Sequence, residues 1–132
     1  MKLIHIILAL FLTTSLSSYT SLAQGDDTVY SLADKQPVYP GGMAAFFRYI
    51  ETNLQYPVAA QAKGVEGRVF VEYIVEKNGK ISGAKILKGL NNECDQEAIR
   101  LISNTATWAP GEIDGKKVRV KMALPLHFKL PK

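Results

Sequence analysis

Residues able to do chemistry are few in this chain. It holds two histidines, His5 and His127, and one cysteine, Cys94. A nucleophilic serine or cysteine needs a base beside it. Beyond the N-terminal segment the only imidazole is His127, on the polar side of an alternating stretch between Lys121 and Lys129. That placement reads as a solvent-facing side chain. No His, Cys and carboxylate residues recur at metal-ligand spacing, and Cys94 with His127 cannot make a zinc site alone. Glu72 and Glu76 share one side of a strand two alternations apart, too far for a close acid/base pair. Asp26 and Asp27 read as a solvated linker, and Gly41-Gly42 fits no phosphate-binding loop. The expectation is a protein without catalytic residues, metal or cofactor. Cys94, with no partner for a disulfide, reads as a small buried apolar residue.

What remains is the chemistry of the backbone itself. Lys117 to Leu130 alternates strictly. Val118, Val120, Met122, Leu124, Leu126, Phe128 and Leu130 fall on one side; Lys117, Arg119, Lys121, Ala123, Pro125, His127 and Lys129 fall on the other. Period two over such a length means a strand with one dry and one wet face. It exceeds the usual five to six or so residues of a strand. Pro125 cannot serve ladders on both sides, so it marks a sheet edge. A long edge is a template for another chain's strand. The basic stripe Lys117, Arg119, Lys121 and Lys129 has no interleaved aromatics for stacking bases, and the net charge of +4 is mild. No nucleic-acid partner is expected.

Other elements must position this strand. Met1-Lys2, the apolar run Leu3–Leu12 and Ser21-Leu22-Ala23 form an export signal over residues 1–23, cleaved between Ala23 and Gln24. The apolar run is short of the roughly twenty residues of a membrane span. Retained, the segment would instead anchor the chain in the inner membrane. Residues 24–36 read as a flexible lead-in with a brief strand at Thr28 to Leu32, and residues 37–132 as one domain. In that domain Met43, Phe46, Phe47, Ile50 and Leu54 recur as one helical face, and Pro57 to Gly64 brackets a very short second helix. Arg68 to Lys77 alternates with Val69, Val71, Tyr73 and Val75 inward. Asn78-Gly79 is a hairpin signal, with the return strand over Lys80 to Leu87. Asn91 or Asn92 caps a helix whose first turns carry Glu93, Asp95 and Glu97 in favourable contact with its dipole. Its apolar face is Cys94, Ala98, Leu101, Ile102, Thr105 and Ala106. Glu112 to Lys116 reads as a polar turn. The sum is a two-layer α+β domain: a small antiparallel sheet of three strands, hairpin plus long C-terminal strand, packed against helices.

Gln55-Tyr56-Pro57, Gly64-x-x-Gly67, the Asn78-Gly79 hairpin, Trp108-x-Pro110-Gly111 and the closing strand occur in this order. Together they resemble the C-terminal domain of TonB energy transducers, over about Gln55 to Leu130. The resemblance implies a non-enzymatic periplasmic module. It would bind the TonB box of an outer-membrane receptor by adding the box as a strand, in transport across the outer membrane. Carried over, Gln55, Tyr56 and Pro57 match the box-contacting motif. The partner edge would comprise Val118, Arg119, Val120, Lys121, Met122, Ala123 and Leu124 and continue to Phe128. A full transducer adds a membrane helix and a long Pro-rich spacer, in place of which this sequence has the signal and a short lead-in. The same edge is open to a second use, as a homodimer interface or a site for the cell wall or another envelope protein.

Overall fold

The structure is a computed structural model and describes residues 27–131. The expected export signal and its cleavage site lie outside the described residues. The fold is built on two long strands, β2 (Gly67–Val75) and β5 (Lys116–Phe128), numbered within the order β1 (Val29–Tyr30), α1 (Gly42–Asn53), α2 (Val58–Ala62), β2, β3 (Ile81–Lys88), α3 (Asn92–Ser103), β4 (Gly111–Ile113), β5. β2 and β5 pair antiparallel without a register shift, from Gly67↔Phe128 to Val75↔Val120. Their inward side chains Val69, Val71, Tyr73, Val75, Val120, Leu126 and Phe128 are buried. Each such side chain contributes roughly 1.5–3 kcal/mol by leaving water.

The hairpin signal at Asn78-Gly79 is present, with a longer loop than a two-residue turn. Glu76 N–H bonds Lys80 O at 2.8 Å and Gly79 N–H bonds Glu76 O at 2.8 Å. Only Gly79 of the pair is left-handed, at φ 83°. This is a type I turn closed by one left-handed residue, the usual three-residue hairpin loop. On β3 the inward residues are Ile81, Ala84 and Ile86, out of step with strict alternation. A register shift against Glu72–Ile74, with Gly83 at φ 60°, absorbs the extra residue. Leu87, also apolar, is left exposed.

α3 lies on the inner face through Cys94, Ala98, Leu101 and Ile102, all buried. Asn91 caps it, its Oδ1 accepting from Cys94 N–H at 2.8 Å. Thr105 and Ala106, expected on the same face, lie beyond its last turn. Burial, aided by the neighbouring Asp95 and Glu93 charges, pushes the Cys94 thiol pKa up. α1 is rotated by about one residue from the stripe its sequence suggests. Phe46 is buried, but Met43 and Phe47 are 52% and 53% exposed. Tyr49 turns inward instead, and its hydroxyl donates to Leu101 O at 2.8 Å. The rotation follows from an aromatic joint: Phe46, Tyr39 and Trp108 stand with ring centroids 5.0–5.5 Å apart, and Tyr73 is 5.7 Å from Trp108.

The expectation of three strands is corrected to five, in the order β1-β5-β2-β3 with β4 also on β5. β1 runs parallel to β5, so the sheet is mixed, not purely antiparallel. β4 joins β5 through a tight turn in which Asp114 and Gly115 have φ 52° and 77°. The lead-in from Asp27 onward is tied down rather than loose. Lys35 and Glu112 exchange backbone bonds, Asp114 N–H donates to Asp34 Oδ2 at 2.9 Å, and Arg119 Nη1 donates to Asp27 O at 2.9 Å. β1 falls within the brief strand expected at Thr28 to Leu32, whereas β4, three residues bordering a stretch read as a polar turn, carries too little alternation to be seen in the sequence.

Gly79 is where the hairpin meets the segment entering β4. Trp108 N–H bonds Gly79 O at 2.9 Å, and a Cβ on Gly79 would lie 2.0 Å from Trp108 O. Gly64, also left-handed, has nothing near its Cβ position. Gly64→Ala is expected to cost only the left-handed strain, about 1–2 kcal/mol. Gly79→Ala adds a backbone clash and is expected to cost visibly more, read as a lower urea midpoint at unchanged slope.

Candidate functional site

Gln55, Tyr56 and Pro57 link α1 to α2, and each is committed to the fold. Pro57 stands immediately before the first residue of α2. The Tyr56 hydroxyl donates to Val65 O, and its ring meets Phe128 edge-on at 5.5 Å. Gln61 Nε2 holds Tyr56 O at 3.0 Å. Gln55 N–H donates to Glu97 Oε2 at 2.6 Å, while the Gln55 side chain remains exposed. The segment is therefore attached to the far end of β5 through Phe128. Its open side forms a groove of about 520 Å³ with Glu93, Glu97 and Arg100 of α3.

Glu97 was readable only as an acid favoured by the helix dipole. It is 8% exposed and ties three elements together. Arg100 Nε and Nη2 donate to its two oxygens at 2.6 and 2.8 Å, and Arg100 Nη2 also reaches Asn53 O at 3.0 Å. The Glu97–Arg100 pair thus joins α3 to the Gln-Tyr-Pro segment through the carboxylate and to the end of α1 through the guanidinium. Its signal in the sequence was the Glu97–Arg100 spacing of three, which places both on one helix face. Burial pushes the Glu97 pKa up, but the Arg100 bonds, the Gln55 N–H and the Arg100 charge outweigh it, and the net direction is down. The same pairing raises Arg100.

The expected partner strand divides into two parts. Lys116, Lys117 and Val118 pair with β4, and Arg119 and Val120 pair with β1 on the side away from β2. Val118, Arg119 and Val120 thus already have strand partners, so the strand is not an edge over its first half. Arg119 is further fixed across the outer face by Glu76, Nε to Oε1 at 2.8 Å and Nη2 to Oε2 at 3.0 Å. Those bonds, against some burial and with help from Ser82, hold the Glu76 carboxyl below its ordinary value. Lys121 follows β1 directly and pairs loosely with Glu72 at 3.9 Å. From Met122 to Phe128 the strand has β2 on one side and no described strand on the other. Pro125 lies in this second half, opposite Phe70. Met122, Ala123 and Leu124 of the expected site fall here. Of Gln55, Tyr56 and Pro57, it is Tyr56 that meets this half, at Phe128. Met122 and Leu124 are half-buried, although Val120, Leu126 and Phe128 on the same face are closed over.

Among the described residues no group of three or more His, Cys, Asp and Glu could hold a metal ion. No described helix is long and apolar enough to cross a membrane. What the arrangement offers a partner is backbone donors and acceptors beside half-buried apolar side chains.

Because the Glu97 pKa is lowered on folding, its stabilisation is full above the unfolded value of roughly 4.3 and is lost as pH falls through the lower folded value. Glu97→Gln is expected to lose about 1.5–3 kcal/mol at pH 7, the range for hydrogen bonds to a charged group. It should also flatten the acid side of the stability curve, with the part due to Glu76 remaining. Urea titrations at pH 7 and near pH 3 measure both effects; equal losses at the two pH values would contradict this role.

Residues 52–130 match the family described as Gram-negative bacterial TonB protein C-terminal. No curated protein matches the chain. Among solved structures it is similar to the Helicobacter pylori TonB C-terminal domain, residues 194–285, at TM-score 0.54 and 21% identity, covering 68% of this chain and 95% of that one. A longer form of the same domain, residues 179–285, gives TM-score 0.53 at 21% identity, covering 68% and 81%. Such identities speak for the fold, and the family match for the lineage: the chain belongs to the TonB C-terminal domain family, a transport-related module of the Gram-negative envelope.

Proposed function

We propose that the protein is a non-enzymatic periplasmic binding module, exported by cleavage after Ala23. It takes up the TonB-box segment of an outer-membrane receptor as an added strand along Met122–Phe128, as a step in transport across the outer membrane. The observation that carries this reading is the second half of β5, a run of backbone with no described strand on its outer side, on an otherwise paired strand. Such an edge supplies main-chain bonds to an extended peptide of almost any sequence. Pro125 sharpens the geometry. It has no N–H, and the ladder to β2 runs unbroken past it, as it does when its nitrogen faces outward. Alternation then aims the backbone groups of Ala123 and His127 outward as well. Gln55, Tyr56 and Pro57 serve this site by holding its Phe128 end, a positioning role that replaces direct contact as their main work.

A second copy suits this edge poorly. Two such strands related by a twofold axis at Pro125 would place both prolines together and set Lys121 opposite Lys129. Like charges directly across a strand pair are destabilising. Sedimentation of the purified protein is expected to show a monomer, and a stable dimer occupying β5 would count against receptor docking.

Titrating isotopically labelled protein with TonB-box peptides tests the reading. Amide shifts are expected at Ala123 and His127 and along Met122–Phe128. N-methylating alternate peptide residues should abolish binding in one of the two frames and spare it in the other, because a strand presents alternate N–H groups to its neighbour. Unshifted β5 amides, or equal binding in both frames, would sink the proposal.

A further inference from the structure

The exposed face of α1 borders the free edge. Phe47, Ile50 and Glu51 face Pro125, Leu126 and His127 across a cavity of about 280 Å³. That is below the roughly 300–1,000 Å³ of small-molecule sites, and suits a side chain better than a cofactor. Phe47 is 53% exposed at this spot, and Met43, one helical turn earlier, is 52% exposed. Single exposed apolar residues are ordinary. Here, however, the exposed ring stands beside a strand with no described strand on its outer edge, whose own inner residues Met122 and Leu124 are only half covered.

An added strand continues the pleat of its neighbour, so its alternate side chains point to the same inner face. We infer that α1 is the second wall of the docking site. The docked segment carries an aliphatic or aromatic side chain on its inward-facing side, and this side chain fills the cavity between Phe47 and Ile50 of α1 and Pro125–His127 of β5. The occupant is an extended peptide that alternates apolar and polar residues. Glu51 on the rim disfavours an inward acid by like charge, so acidic residues belong on the outer side, over Lys121. This inference rests on docking along β5 and adds to it the residue class that the site selects and the helix that selects it.

The test is a double-mutant cycle read by affinity and amide shifts. One TonB-box peptide is used with its apolar residues intact, and again with the inward-facing ones replaced by serine. Phe47→Ser is expected to weaken the apolar peptide about tenfold, the equivalent of losing one buried apolar contact. It should leave the serine peptide's affinity unchanged. Phe47→Leu, which keeps the apolar wall, should recover most of the binding, and cross-relaxation between the Phe47 ring and peptide methyl groups should appear in the wild-type complex. Equal affinities for wild type and Phe47→Ser, with β5 shifts intact, would overturn the role of α1 and leave strand docking standing. Wild-type protein whose β5 amides ignore both peptides would overturn both.

Discussion

The antiparallel pairing of β2 with β5 is the constraint on which the rest of the molecule depends. It is continuous from Gly67↔Phe128 to Val75↔Val120. A one-residue slip would move Val69, Val71, Tyr73 and Val75 from the core to the wet face, so the register is fixed by burial along the whole strand. β3 and α3 then complete one side of β2. On the other side β5 overruns β2 towards its N-terminal end, and that overhang must find other partners. β4 and β1 supply them at Lys116–Val120. The free edge at Met122–Phe128 is what remains where neither reaches. It is a consequence of unequal strand lengths, with Pro125 placed where a missing donor does the ladder no harm.

The second organising contact is the Glu97 carboxylate. A buried acid with one partner is costly, because desolvation opposes a single ion pair. Glu97 has Arg100 on both oxygens and the Gln55 N–H as well, so its acceptor capacity is used. Without it the Gln-Tyr-Pro segment would be held to α3 by little else in this region. With it, Tyr56 is held against Phe128 and the end of β5 is closed over. The motif that reads in sequence as a contact site therefore works first as a brace.

The sequence made plain whatever repeats locally: the alternation of β2 and β5, a cap at Asn91 or Asn92, the inward face of α3 from Cys94 to Ile102 and the family's order of motifs. It did not make plain what depends on distant partners. A brief strand was legible at β1 but its pairing with β5 was not, and β4 is too short for a period to register, so β5 looked like an edge throughout although Val118, Arg119 and Val120 are paired. Phe47 and Tyr49 are both aromatic, and periodicity favoured Phe47. The Tyr49 hydroxyl, able to reach Leu101 O, and the Tyr39–Phe46–Trp108 joint decided for Tyr49. Glu97 looked like any acid in an early helical turn until the chain between α1 and α2 was brought to it. The half of β5 beyond β1 was legible as a strand, but its boundary at Lys121 was not.

An added strand gains most of its affinity from main-chain bonds, and those are nearly blind to sequence. Discrimination must then come from the side chains flanking the edge. The two faces differ in what they can offer. On the outer face Lys121 and Lys129 are exposed, and their charges are screened over roughly 8–10 Å at physiological salt. They favour acidic segments in general and choose weakly among them. On the inner face a misplaced polar or charged side chain would be taken out of water beside Met122, Leu124 and Phe47 without a partner. That penalty, of about 1–3 kcal/mol for an unsatisfied polar group, is larger than what a solvated charge pair gains. On the proposed docking, the rotation of α1 that leaves Phe47 uncovered is what would give an otherwise permissive edge its selectivity.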